Sequence, residues 1–228
     1  MSLSQGLGRP ILTADDLNAH RAALGNTQDV VYWPLFDSST YLPAGSTQIS
    51  FFTSPIGQGV SSAPGAGATA VKSLADTNMY SAGQLTKGNE FFMTGQEFLF
   101  FPGDAPEQAI ATGVNNFFVN DVYNVGKSGV VTLQVGSNRQ YIQDGPLQNF
   151  PPSTRLFVAA AVTGTSLTTV GSNIAYAAWV GEPYDITPIY IEATQGFQEY
   201  VTWPAAVTVS VTARLFSRLR GYLIRNAQ

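Results

Sequence analysis

The chain has no cysteine and one histidine among its 228 residues. Without thiols there is no disulfide, no thiolate metal site and no cysteine nucleophile. Charge is scarce as well: 11% of residues are Asp, Glu, Lys or Arg, against about a quarter in ordinary domains. No apolar run approaches the ~18 residues that a membrane-spanning helix needs. The opening MSLSQGLGRP has no basic stretch followed by an apolar one, so no secretory signal is expected. No N-x-Ser/Thr sequon occurs. Finally, no acidic residue follows Glu199.

What is present points to β-structure. Hydrophobic residues make up 44% and aromatics 12%, too much for a disordered chain. The 22 glycines and 13 prolines, with abundant Ser, Thr, Asn and Gln, imply long loops between strands. So little charge also implies that neighbouring subunits, rather than water, cover much of the surface. The length fits one large all-β domain or two small ones. No linker divides it, and no internal repeat is visible.

The end of the chain carries the clearest pattern. Val207, Val209, Val211, Ala213, Leu215 and Leu219 occupy odd positions, with Ser217 the one polar exception. Thr208, Ser210, Thr212, Arg214, Arg218 and Arg220 occupy even ones, with Phe216 apolar. Period two predicts a half-buried strand from Val207 to about Leu219. Leu215, Leu219 and Leu223, four apart, offer a rival helical reading of the last turns. Residues 200–228 carry a net +4, while residues 1–199 carry −8. Arg214, Arg218, Arg220 and Arg225 are therefore either solvated surface groups or a basic face for an anionic partner.

From the start of the chain, residues 1–28 form an arm with a short helix over Ala14–Leu24. Thr13 is its N-cap, Leu12 and Leu17 take the hydrophobic-staple positions, and Gly25 is the stop. Leu17, Arg21 and Leu24 share a face, and so thin an apolar stripe must dock on something to be stable. His20 lies on this helix and reads as a surface or packing residue. Strands are expected at Val30–Phe36, where Pro34 marks an edge or a bend, and at Gln48–Thr53. Ser54–Ala70 reads as a flexible loop. Leu85–Pro102 reads as a core hairpin turning at Thr94-Gly95-Gln96.

A second helix is expected over Asp104–Asn124, and Gly126-Lys127-Ser128 reads as a plain turn rather than the end of a phosphate loop. A hairpin of Val130–Val135 with Gln140–Ile142 follows, then a turn at Asp144-Gly145-Pro146. Leu156–Val162 and Ile174–Val180 are strands. Ile189–Ala193 and Phe197–Trp203 form a further pair about Thr194-Gln195-Gly196. About a dozen strands at this spacing suit a sandwich or barrel.

Chemistry is hard to find. Glu97, Asp144, Glu182, Asp185 and Glu192 are carboxylates without a pairing that would serve a glycosidase. Asn115, Asn116, Asn120 and Asp121 offer hard oxygen ligands of the kind calcium takes, but on a helix they read as a polar face. No catalytic residue, cofactor or metal site is expected.

Three segments carry a resemblance. They are SLADTNMYSAGQLTKGNEFFMTGQEFLFFP (Ser73–Pro102), VYNVGKSGVVTLQVGSNRQYIQDGPLQNFPP (Val122–Pro152) and VTVSVTARLFSRLRGYLIRNAQ (Val207–Gln228). In order and texture they resemble the jelly-roll major capsid proteins of small tailless icosahedral bacteriophages, many of them lipid-containing. The resemblance implies an all-β jelly-roll β-sandwich over residues 29–228, single and decorated with two helices, the inserted one at about 105–124. A compact double jelly roll is the alternative.

It implies a structural virion protein, not an enzyme, that self-assembles as a homotrimer or pseudo-hexameric capsomer with other capsid proteins. Such a protein is assembled in the host cytoplasm into an icosahedral shell, and has no small-molecule substrate. The arm of Leu12, Leu17 and Leu24 would serve assembly. Arg214, Arg218, Arg220 and Arg225 would face the interior, toward an anionic membrane or the genome. On this view changing all four to Gln spares the fold. The competing class is a carbohydrate-binding or glycan-hydrolysing jelly roll, which needs a groove with exposed aromatics. Trp33, Trp179 and Trp203 all sit in strand-like runs and are expected to be buried.

Overall fold

Residues that alternate apolar and polar build strands with one dry face, and strands are the commonest regular element among the described residues. The computed structural model describes residues 19, 22, 28–63, 65–101, 117–136, 140–152, 158–163, 173–178, 186 and 188–226. Of the expected first helix only residues 19 and 22 are described, both helical. Leu12, Leu17, His20 and Leu24 lie outside the described residues.

The protein is all-β, with two principal antiparallel sheets. The first is organised on its longest strand, β11 (Ala213–Asn226). Along one side of β11 run β1 (Gln28–Tyr32), opposite residues 222–226, and β2 (Leu35–Tyr41), opposite residues 213–219. Pro34 lies in the break between β1 and β2, where an edge or a bend was expected. On the other side come β4 (Glu90–Phe101) and then β9 (Ile189–Ile191). The second sheet has the order β3 (Gln48–Phe51), β10 (Phe197–Thr202), β5 (Val130–Val135), β6 (Gln140–Pro146). A separate hairpin of β7 (Val158–Thr163) and β8 (Asn173–Ala178) packs against the helix α1 (Phe117–Ser128).

The core is where the two sheets meet. Phe51, Leu133 and Val201 from the second sheet, and Phe91, Phe98, Phe100 and Leu215 from the first, are all 0% exposed. Rings meet edge-on across this layer, as with Phe51 and Phe98 at 5.7 Å between centroids, the arrangement that aromatic quadrupoles favour.

The expected hairpin at Leu85–Pro102 is instead one continuous strand. Arg220 of β11 pairs with Gly95 and Gly221 pairs with Met93, so Thr94 is an extra residue and β4 carries a bulge. The bulge changes the strand's phase. Phe91 and Met93 face the core before it; Gln96, Phe98 and Phe100 do so after it. Sequence reading mistook that phase slip for a turn. The bulge leaves no room at Gly221: a Cβ there would lie 2.2 Å from the Phe92 carbonyl oxygen and 2.8 Å from the Phe91 ring. Gly221→Ala should therefore cost about 1–3 kcal/mol, as overpacking typically does, measured as a lowered denaturant midpoint with an unchanged slope.

Other expectations also change. Residues 207–212 are not strand, and β11 starts at Ala213. It then runs as strand to Asn226, which excludes the helical reading of Leu215, Leu219 and Leu223. Val207–Val211 instead straps the turn between β2 and β3. Tyr41 Oη donates to the Val207 carbonyl at 2.7 Å, and Val209 N–H donates to Pro43 at 3.2 Å.

The second helix runs past Asn124 to Ser128, so Gly126-Lys127-Ser128 is its last turn and not a separate one; residues 104–116 lie outside the described residues. Asp144-Gly145-Pro146 belongs to β6. β9 and β10 exist as expected but do not pair: they belong to different sheets. The loop Ser54–Ala70 is tied down, with Ile56 N–H donating to Met79 at 2.9 Å and Ser61 N–H to Ala70 at 2.8 Å.

Candidate functional site

The four arginines do not form one patch. Strand alternation puts Arg214, Arg218 and Arg220 on the outer face of the first sheet. Arg225 belongs to the odd row with Leu215 and Leu219, on the opposite face, and lines a cavity beyond the core.

Arg214 is built into the fold. Its side chain is 15% exposed. Nε donates to Ser62 Oγ at 3.1 Å, and Nη2 donates to Ser38 Oγ at 2.9 Å and to the Ala75 carbonyl. Asp76 Oδ1 lies 3.6 Å from Nη2. Asp76 is the knot that fastens the 52–89 connection to the sheet. It accepts from Ser61 Oγ and Ser62 N–H at 2.8 Å, and from Ser73 N–H at 3.1 Å. Burial acts to raise its pKa, but these donors outweigh burial and hold it below the ordinary 3.8.

Arg218 pairs with Glu97 at 2.7 Å, and Glu97 is 1% exposed. Between the two arginines lies Phe216, with guanidinium carbons 5.4 and 5.8 Å from its ring centre. Phe36 stacks on the same ring at 5.4 Å.

Changing all four arginines to Gln is therefore expected to harm the fold, contrary to the reading from sequence. Arg214→Gln alone should cost about 1–3 kcal/mol by stranding Asp76 and its hydroxyl partners. Arg220→Gln should stay within about 0.5 kcal/mol. Urea denaturation of the two single variants separates them.

A second polar group lies between the sheets. Glu199 of β10 is fully buried and accepts from Gln96 Nε2 of β4 and Ser217 Oγ of β11. Burial is the main cause that lifts its pKa, to about 8, and the negative Asp37 adds to it; the Ser217 and Gln96 hydrogen bonds act the other way. Asp37, also 0% exposed, accepts from Lys72 Nζ and from Phe52 N–H, each at 2.6 Å. That second bond holds Phe52 in the left-handed region at φ 62°. Burial raises the Asp37 pKa, against the pull of Lys72.

Sequence reasoning missed this buried group. Its signal was a polar residue in an apolar phase: Glu199 between Phe197 and Val201, Gln96 beside Phe98 and Phe100, and Ser217 between Leu215 and Leu219. These side chains are shut away from solute. Their position joins one sheet to the other.

The remaining candidates are dispersed. Asp121 is 4% exposed and accepts from Ser210 N–H at 2.9 Å and Ser210 Oγ at 3.1 Å. It therefore anchors the segment before β11 to the helix, in place of the suggested calcium role. Asp144 and Glu192 are exposed on different sheets' margins, while Glu182 and Asp185 lie outside the described residues. Among the described residues no three His, Cys, Asp or Glu side chains are grouped to hold a metal. Trp203 is buried as expected and donates to the Val125 carbonyl at 3.0 Å. Trp33, expected to be buried, is 50% exposed. Trp179 lies outside the described residues.

Known proteins offer no guide. Scans of family models, curated proteins and solved structures find no match to this chain. The functional reading rests on fold order and surface chemistry.

Proposed function

We propose that this chain is a structural shell subunit, a major capsid protein with a single jelly-roll sandwich. The observation that carries the reading is the strand order. If β2, β3, β4, β5, β6, β9, β10 and β11 are lettered B to I in chain order, the first sheet is B-I-D-G and the second is C-H-E-F. That order supports a jelly roll, a fold built from two Greek keys. β1 is an extra strand on the B edge, and the β7–β8 hairpin is an insertion between F and G. Eight strands in two four-stranded layers favour a single roll over a compact double one.

Surface chemistry supports assembly. Val60, Val71 and Leu74 are 54–63% exposed on the loop fastened over the first sheet. Large aliphatics concentrated on one loop, in a chain of low charge, suit burial against other copies. The partners on this reading are copies of the same chain, as trimers or pseudo-hexameric capsomers, with other capsid proteins in a virion. With Arg214 and Arg218 committed to ion pairs, Arg220 is, among the described residues, the outer-face arginine left to meet an anionic membrane or genome. The protein needs no cofactor and performs no catalysis.

Sedimentation velocity tests the proposal. The intact chain should sediment as oligomers that grow with concentration. Replacing Leu12, Leu17 and Leu24 with Ser should shift it to smaller species without changing its melting. A chain that stays monomeric at all concentrations, with the arm intact, refutes it.

A further inference from the structure

The exposed tryptophan points to a ligand. Beside the break between β1 and β2 lies a cavity of about 290 Å³, at the small end of the range that ligand pockets span. Its floor is apolar, with Leu35 and Met79 4% and 3% exposed. Its walls are of a different kind: Trp33 and Tyr80 are 50% and 73% exposed, and Gln84, Asn89 and Arg225 stand beside them. Among the described residues none of the last three side chains has a hydrogen-bond or ion-pair partner, unlike Arg214 and Arg218. Large flat rings left half in water, next to uncommitted amides and one guanidinium, are costly for a surface that does nothing.

We propose that this cavity binds a saccharide bearing a carboxylate, one sugar residue deep. The C–H face of a pyranose is apolar and flat, and suits Trp33 and Tyr80. Its hydroxyls both donate and accept, as do the amides of Gln84 and Asn89. Arg225 supplies the fork that holds a carboxylate by two parallel hydrogen bonds. The volume admits a single ring, with the rest of a glycan chain leaving toward solvent. This site is independent of the shell reading. It would give a shell subunit contact with an acidic surface glycan, and it would stand if the protein were no shell subunit at all.

The test is isothermal titration of the full chain with a uronic-acid oligosaccharide, a sialylated oligosaccharide and a neutral oligosaccharide of matched length. At least one acidic sugar should bind, and the neutral one at least tenfold more weakly. Trp33→Ala should abolish binding. Arg225→Gln should weaken the acidic sugar roughly tenfold, about 1.4 kcal/mol, and leave the neutral one unchanged. Tyr123→Ala, an exposed aromatic on the helix, should bind as the parent does, and melting curves should show all three variants folded.

Binding that survives Trp33→Ala, equal affinity for neutral and acidic sugars, or no saccharide binding overturns the proposal. So does a synthetic peptide of residues 8–24 that binds at the cavity when no sugar does, because that would make it a docking site for the arm. Sedimentation of the same samples reports on the shell reading separately.

Discussion

Raising the pH from 5 to 9 should remove several kcal/mol of stability from the wild-type protein, and Glu199→Gln should remove most of that dependence. The sign follows from the direction of the shift. The Glu199 pKa is raised from 4.5 to about 8 in the folded state, so the folded protein holds a proton that the unfolded chain releases. The stability from that proton is complete below about 4.5 and is lost as pH climbs through about 8. A shift of this size corresponds to about 3–5 kcal/mol. Gln is neutral and nearly isosteric, and keeps polar contact with Ser217 and Gln96. The variant should therefore match the wild type within about 1 kcal/mol at pH 5 and exceed it by several at pH 9. Urea unfolding at the two pH values measures both numbers. Equal pH dependence in the two proteins would place Glu199 outside the coupled core.

The second large effect is expected at Lys72. Its ammonium enters the core from the 52–89 connection and meets Asp37, which is 0% exposed, at 2.6 Å. Lys72→Met should cost about 3–5 kcal/mol, because it leaves a buried carboxylate without its partner. Adding Asp37→Asn should restore most of the loss. Asn is uncharged and keeps an acceptor for the Phe52 N–H, so the double variant removes the charge without abandoning that amide. If the double variant is no better than Lys72→Met alone, the penalty comes from lost packing around the lysine stem and not from the charge. Full stability of the single variant would show that the pair carries little.

Both predictions concern residues that sequence pattern marks only as irregularities. Where one phase of a strand is apolar and the other polar, the pattern located the strand well: β5 has the bounds expected from Val130–Val135. The odd row of β11 was legible for the same reason. What defeated the reading was anything that needs a partner far away in sequence. The Thr94 bulge exists because β4 must stay in register with β11, and no local rule for residues 90–101 contains that information. β9 and β10 look like a hairpin around Thr194-Gln195-Gly196, yet the chain crosses between sheets there.

The arginines are a similar case. With no acid after Glu199 the tail looked unpaired, but Glu97 and Asp76 reach it from more than a hundred residues upstream. Trp33 was expected to be buried because it sits in an apolar run. It falls in the break at Pro34 instead, where neither strand carries it inward. The cavity it lines was not visible in sequence, since residues 31–35, 78–89 and 223–225 meet only in the folded chain.

The proposal that these two sheets form a shell subunit is tested most directly by the mass and shape of the purified chain in solution. Light scattering combined with negative-stain imaging gives both from one sample. The account predicts trimers, hexagonal plates or closed shells. A strict monomer at the highest attainable concentration would contradict it.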